Sequence, residues 1–130
     1  MKFIDKIFFY GSLKSDGPFY NLYSRNIITT HNAYIYGKLA MYKNIFPALV
    51  EDSKSKVYGE VVTVFNVTKV LTILDNIEKY LERAVKDVFL LNEENNVTKT
   101  VAAWVYIYKD NQQYLEFINT NNWLNKNLQI

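Results

Sequence analysis

The sequence predicts an α+β protein in which a small mixed β-barrel is flanked by helices. Three observations favour this fold. Short segments rich in β-branched and aromatic residues recur along the chain, two of these segments contain a glycine, and one stretch alone has clear helical periodicity. The chain has 130 residues, of which 49% are hydrophobic, so we expect one domain over residues 1–130.

Most of the apolar segments have the length and composition of β-strands. Gly37 and Gly59 lie inside two of them, and a glycine within a strand often marks a bulge or the corner of a barrel. Pro47 lacks an N–H group and suits an edge strand or a bend before the next short segment. The predicted strands cover residues 7–10, 33–42, 48–50, 57–65, 83–91 and 100–108.

The clearest helical pattern covers residues 67–78, and Asn66 or Thr68 is the predicted N-cap. Residues 19–28 are a second, short candidate helix. The tail, residues 111–130, is expected to form a short helix followed by a loop that Trp123 anchors. These minor helices would flank the barrel.

Glu78 stands on the apolar face of the predicted main helix. It follows Leu74 by four positions and Leu71 by seven, so its carboxylate should face the core or a cavity beside it. Burial disfavours the charged form and should raise the pKa of Glu78 toward the working pH of a general base. Two other interpretations stay open, namely a helix that ends one turn early and a salt bridge from Glu78 to Arg83.

The end of the first predicted strand, Tyr10-Gly11-Ser12-Leu13, is a candidate binding loop. A strand that stops at Gly-Ser exposes consecutive backbone N–H groups, which can hold a carboxylate or a developing oxyanion. The alternative is an ordinary turn, because Gly-Ser is common in loops.

Composition excludes several classes of function. The net charge is +2 and the basic residues are scattered, so we predict no nucleic-acid partner. The chain has no cysteine and one histidine, which excludes disulfides, a thiolate nucleophile and cysteine- or histidine-rich metal sites. The longest apolar run, residues 101–108, is too short to span a bilayer, and the first residues do not resemble a signal peptide. We therefore expect a cytoplasmic protein with no membrane partner.

An ordered set of motifs resembles the gamma-glutamylcyclotransferase-like family across most of the chain. The motifs are YGSL at residues 10–13, GKLAMYKNIFPALV at 37–50, VYGEVVTV at 57–64, LDNIEKY at 74–80, AWVYIY at 103–108 and NNW ending at Trp123. Each motif alone is weak, but their order is specific.

The resemblance implies a fold, a reaction and a site. The fold would be a small β-barrel with flanking helices, and the reaction would release 5-oxoproline from a gamma-glutamyl compound without a metal or cofactor. Glu78 would be the catalytic base, and Tyr10, Gly11, Ser12 and Leu13 would bind the substrate. The amine that leaves and the oligomeric state stay open. The alternative is a noncatalytic module that binds a small molecule with the same fold.

Two residues in or beside these motifs depart from the family pattern. Lys79 stands where the family usually has glycine, and Leu81 lies near where an aromatic residue often precedes the arginine. These departures concern the class of substrate more than the fold. Glu60 is a second carboxylate, and we interpret it as a buried partner of Arg83 or of a tyrosine hydroxyl.

Overall fold

The computed structural model describes residues 3–124, and it confirms the predicted α+β barrel. Five strands form a closed barrel in the order β1-β5-β2-β6-β7, and three more form a separate sheet in the order β4-β3-β8. The barrel is mixed because β1 pairs in parallel with β7 while its other pairs are antiparallel. The elements are β1 (Lys6–Phe9), β2 (Ile27–Tyr36), β3 (Lys38–Tyr42), β4 (Phe46–Val50), β5 (Lys56–Val64), α1 (Val67–Ile77), β6 (Glu82–Leu91), β7 (Val97–Ile107) and β8 (Leu115–Phe117).

One hydrophobic cluster fills the barrel, and a second packs α1 against its outside. Side chains that alternate along the barrel strands fill its interior, including Phe8, Val61 and Val105. The intervening residues of β1 and β5 face outward, where they pack against the buried side of α1. This second cluster joins the helix to the barrel, and its α1 members are Val67, Val70, Leu71 and Leu74.

The segment predicted as one strand over residues 33–42 is two strands in different sheets. Gly37 separates β2 from β3, and a Cβ atom at this position would lie 2.6 Å from Leu49 Cδ1. The same atom would lie 3.0 Å from the carbonyl oxygen of Val50, so the chain passes close to β4 at this corner and a side chain would displace its neighbours. The local pattern shows extended backbone on both sides of the glycine, but not the change of sheet.

The helix predicted over residues 19–28 is also wrong. Two single-turn 3-10 helices, Tyr20–Leu22 and Ser24–Asn26, take its place, and β2 begins at Ile27. The β-branched run that follows favours extended backbone, and it pairs with β5 from Ile27 onward. Pairing with a neighbouring strand thus prevails over the weak helical signal.

The ends of the other helices differ from the prediction in detail. Asn66 occupies the N-cap position of α1 with a left-handed backbone, φ 55°, but its side chain makes no capping hydrogen bond. In the tail, the predicted helix is the single 3-10 turn Gln112–Tyr114, followed by β8. Trp123 is buried in the barrel cluster, as predicted for an anchor. Residues 125–130 of the predicted tail lie outside the described residues.

Among residues 3–124, the structure contains no helix with both the length and the hydropathy that a bilayer crossing requires.

Replacing Gly59 with Ala should destabilise the barrel strongly. The added Cβ would lie 2.2 Å from the carbonyl oxygen of Phe9, so β1 and β5 would have to separate. We expect the free energy of unfolding to fall by about 3 kcal/mol or more, the upper scale of overpacking. Urea unfolding of both proteins measures the change.

Thr30→Ala is the control, because Thr30 is an exposed residue of the same barrel. It should change the stability by no more than about 0.5 kcal/mol. A Gly59→Ala protein as stable as this control would contradict the close approach of the two strands.

Candidate active site

The candidate base, Glu78, lies at the end of α1. The helix ends at Ile77, and Glu78 is the C-cap residue, with its N–H donating to the carbonyl of Leu74 at 2.9 Å. The predicted helix was therefore one residue too long. The side chain nevertheless lines a cavity at the junction of helix and barrel, as the periodicity predicted.

The predicted binding loop and Glu78 line the same cavity. Tyr10 and Gly11-Ser12-Leu13 form one wall, directly after β1, and Glu78 with Tyr106 of β7 forms another. The remaining walls are apolar. Cavity volume is about 20 Å³, which is room for about one water molecule. The other lining residues are Phe8, Phe9, Phe46, Pro47 and Leu81.

The loop leaves two backbone N–H groups available. The carbonyl of Gly11 accepts from Lys14 N–H at 3.0 Å, and that of Leu13 accepts from the Tyr23 hydroxyl. The N–H groups of Ser12 and Leu13 have no acceptor among residues 3–124. A loop whose carbonyls are occupied and whose N–H groups are open is suited to hold an anion or a polarised carbonyl.

Glu60 has a different partner from either one predicted. Its two carboxylate oxygens accept from the backbone N–H of Ser15, at 2.7 Å, and from the Ser15 hydroxyl. Glu60 stands on β5 opposite Phe9, so it ties the far end of the loop back to the barrel. The sequence offered no signal for a partner 45 residues away.

Arg83 does not pair with Glu78 either. It binds Asp75 with two hydrogen bonds, from Nε at 2.9 Å and from Nη2 at 3.1 Å. The Tyr106 hydroxyl donates to the same carboxylate at 2.6 Å. Burial alone would raise the pKa of Asp75, but these hydrogen bonds hold it below its usual value. Arg83 and the Tyr106 hydroxyl therefore bind Asp75 and not Glu78.

The hydroxyl of Tyr10 is used within the protein. It donates to the carbonyl of Tyr106 at 2.7 Å and accepts from the N–H of Leu49 at 3.1 Å. Burial, and secondarily the nearby Glu78 carboxylate, raises the pKa of the Tyr10 hydroxyl. Tyr10 therefore lines the cavity, and its hydroxyl links the end of β1 to β4 and β7 through hydrogen bonds.

Glu78 is left with an unusual electrostatic environment. Among the described residues, its carboxylate has no ion pair and no hydrogen bond. Burial therefore raises the pKa of Glu78 to about 7. Such a carboxylate exchanges a proton near neutral pH, which is the property required of a general base and acid. No group of three or more His, Asp or Glu within residues 3–124 is placed to hold a metal ion.

The structure combines a small mixed barrel with a cavity that Glu78 and the loop after β1 both line. The sequence also matches the family model described as "Gamma-glutamyl cyclotransferase, AIG2-like" over residues 7–125. The chain therefore belongs to this family, which confirms the resemblance. A comparison with curated proteins finds no significant match.

Solved structures share the fold. The AIG2-like protein of Mus musculus has a TM-score of 0.68 at 21% identity, over 92% of this chain and 88% of that one. PH0828 of Pyrococcus horikoshii has a TM-score of 0.65 at 14% identity, over 95% and 93%. YkqA of Bacillus subtilis has a TM-score of 0.69 at 17% identity over 93% of this chain, which spans 40% of YkqA.

The raised pKa of Glu78 predicts how stability depends on pH. The folded protein holds this proton up to about pH 7, whereas the unfolded chain releases it near 4.5. The proton's contribution to stability is therefore full below about pH 4.5 and is lost as the pH rises through about 7. The difference corresponds to about 3 kcal/mol.

Urea unfolding at about pH 5.5 and about pH 8 tests this expectation. The wild type should lose about 2 kcal/mol between the two conditions, whereas Glu78→Gln should lose much less. Glu94→Gln is the matched control, because Glu94 is exposed and should leave the pH dependence unchanged. Equal pH dependence in the wild type and Glu78→Gln would contradict the raised pKa.

Proposed function

We propose that this chain is a cyclotransferase that converts a gamma-glutamyl compound to 5-oxoproline and a free amine. The observation that carries the proposal is that Glu78 and the loop residues Ser12 and Leu13 line one cavity, where burial raises the pKa of Glu78 to about 7. Family membership supports the same reaction. Two proteins whose solved structures share this fold are named gamma-glutamyl cyclotransferases, one of them from yeast and specific to glutathione.

The chemistry requires one base and one oxyanion site. The α-amine of the gamma-glutamyl group is the nucleophile, and it attacks the side-chain carbonyl to form a carbon–nitrogen bond within a five-membered ring. Glu78 takes the proton that this amine releases. The proton then passes to the departing amine as the original amide bond breaks, so Glu78 ends in its starting form.

The backbone of the loop supplies the electrophilic groups. The N–H groups of Ser12 and Leu13 hold the substrate and stabilise the charge that develops on the attacked carbonyl oxygen. Because nucleophile and carbonyl belong to one molecule, much of the rate comes from holding the chain of the substrate in a folded conformation. The apolar walls of Phe8, Phe46 and Leu81 would restrict that conformation.

The reaction requires the cavity to enlarge. Its volume of about 20 Å³ is far below the roughly 300 Å³ of a typical small-ligand site. Leu81 follows a turn that one backbone hydrogen bond closes, from its own N–H to the carbonyl of Glu78 at 3.2 Å. We propose that displacement of the Leu81 side chain admits the substrate.

Replacing Glu78 with Gln should reduce 5-oxoproline formation by about a hundredfold or more, because the amide keeps the shape but removes the base. For the wild type, kcat/KM should rise with pH around a midpoint of about 7, and the variant should lack this limb. Mass spectrometry of product from a panel of gamma-glutamyl compounds makes the measurement. Wild-type protein that binds these compounds and cyclises none would instead favour the noncatalytic module.

Gly11→Ala should weaken substrate binding through the loop. A Cβ atom at Gly11 would lie 2.9 Å from Pro47 Cγ, so the loop or Pro47 must shift. A displacement of about 1 Å at a positioning group can reduce the rate by up to about a hundredfold. We expect kcat/KM to fall at least about tenfold, with the raised pKa of Glu78 retained. An unchanged kcat/KM would exclude the loop from the mechanism.

A further inference from the structure

A second, larger pocket adjoins the candidate active site. Its volume is about 450 Å³, and Leu81 lines both this pocket and the small cavity that contains Glu78. Leu81 also packs against the cluster that joins α1 to the barrel and against a third cluster, formed by Tyr42, Ala48 and Tyr108. Because Leu81 lines both spaces, they are adjacent, and the outer pocket has room for the part of a substrate that extends past Leu81 from the cavity beside Glu78.

The outer pocket is lined by aromatic rings. Tyr42 and Tyr80 stack with their centroids 5.2 Å apart and an angle of 24° between the rings. Phe46, which lines the small cavity, stacks on Tyr42 at 5.1 Å and on Tyr80 at 6.2 Å. An aromatic surface thus runs continuously from one space to the other. The side chain of Tyr80 is exposed, and the residue is 60% accessible, so this surface is open to a ligand.

The charges around the rings favour a ligand without a net charge. Two basic and two acidic residues line the pocket and balance each other. Lys43 adds a cation of the protein itself, with its ammonium 4.6 Å from the centroid of Tyr114 and 5.3 Å from that of Tyr42. A second cation beside these rings would be repelled by the first. The balanced lining charges are Lys79, Lys109, Glu82 and Asp110.

We propose that the outer pocket binds the leaving amine of the gamma-glutamyl substrate and prefers an amine that carries a neutral aromatic ring. The inference rests on the proposed function, and it assigns the chemical class of the leaving group. The ring of the amine would stack on Tyr80, while the gamma-glutamyl part occupies the enlarged cavity beside Glu78. A small alkyl amine would leave the stacking surface uncovered, and a cationic amine would meet Lys43.

The test measures binding in the Glu78→Gln background, so that turnover does not enter. Calorimetry compares gamma-glutamyl phenethylamide with gamma-glutamyl butylamide and with a gamma-glutamyl amide of 1,5-diaminopentane. The aromatic compound should bind about tenfold more tightly than the other two, the scale of one aromatic stacking contact. Equal affinities, or a preference for the cationic amide, would overturn the proposal. So would the absence of binding by all three compounds.

Two further variants locate the preference. Adding Tyr80→Ala should remove the aromatic preference and leave the affinity for the butylamide unchanged. Tyr36→Ala is the matched control, because Tyr36 is also a partly exposed tyrosine that contacts another ring, Phe89, but it lies outside this pocket. A preference that survives Tyr80→Ala, or that Tyr36→Ala also removes, would overturn the assignment of the pocket.

Turnover of the same compounds by the wild type tests the proposed function separately. Aromatic-selective binding without 5-oxoproline release would retain the subsite and refute the cyclotransferase. Release of 5-oxoproline from all three amides at equal kcat/KM would retain the cyclotransferase and refute the subsite.

Discussion

The close approach of β1 to β5 at Gly59 is the constraint on which the candidate site depends. The carbonyl of Phe9 lies where a side chain at position 59 would stand, so the end of β1 is held close to β5. The loop begins directly after β1, so the position of its first residues is set by this contact. Glu60, the next residue of β5, then binds Ser15 and fastens the far end of the same loop. One short stretch of β5 thereby fixes both ends of the loop that lines the Glu78 cavity.

The other half of the site depends on what surrounds Glu78 rather than on the glutamate itself. Asp75 binds Arg83 and the Tyr106 hydroxyl, and Tyr10 donates its hydroxyl proton to the carbonyl of Tyr106. The side-chain donors Arg83, Tyr106 and Tyr10 thus bind groups other than the Glu78 carboxylate. Burial is then the dominant influence on its pKa, because no nearby charge opposes it. Ionising this carboxylate lowers the stability of the folded protein, and the raised pKa lets it exchange protons near neutral pH.

Local sequence patterns predicted the strands and the helix whose conformation depends on neighbouring residues in the chain. Alternating β-branched and aromatic residues placed the strands, and the 3.6-residue period placed α1 and turned Glu78 toward the core. The switch of sheets at Gly37 was not predictable in this way, because it depends on the proximity of Leu49. The partners of Glu60 and Arg83 were missed for a similar reason. A carboxylate on a strand or helix shows that a partner is needed, but many donors along the chain satisfy that need equally well.

The central claim is that the Glu78 carboxylate, partly buried and without a charged partner among the described residues, titrates near neutral pH. The most direct measurement is a titration by carbon-13 NMR of protein labelled at the glutamate side-chain carbonyls, with the Glu78 resonance assigned by its absence in Glu78→Gln. A midpoint of about 7 for this resonance is expected. A midpoint near the ordinary value of 4.5 would show that the carboxylate is solvated or paired, and it would contradict the assignment of Glu78 as a base tuned by burial.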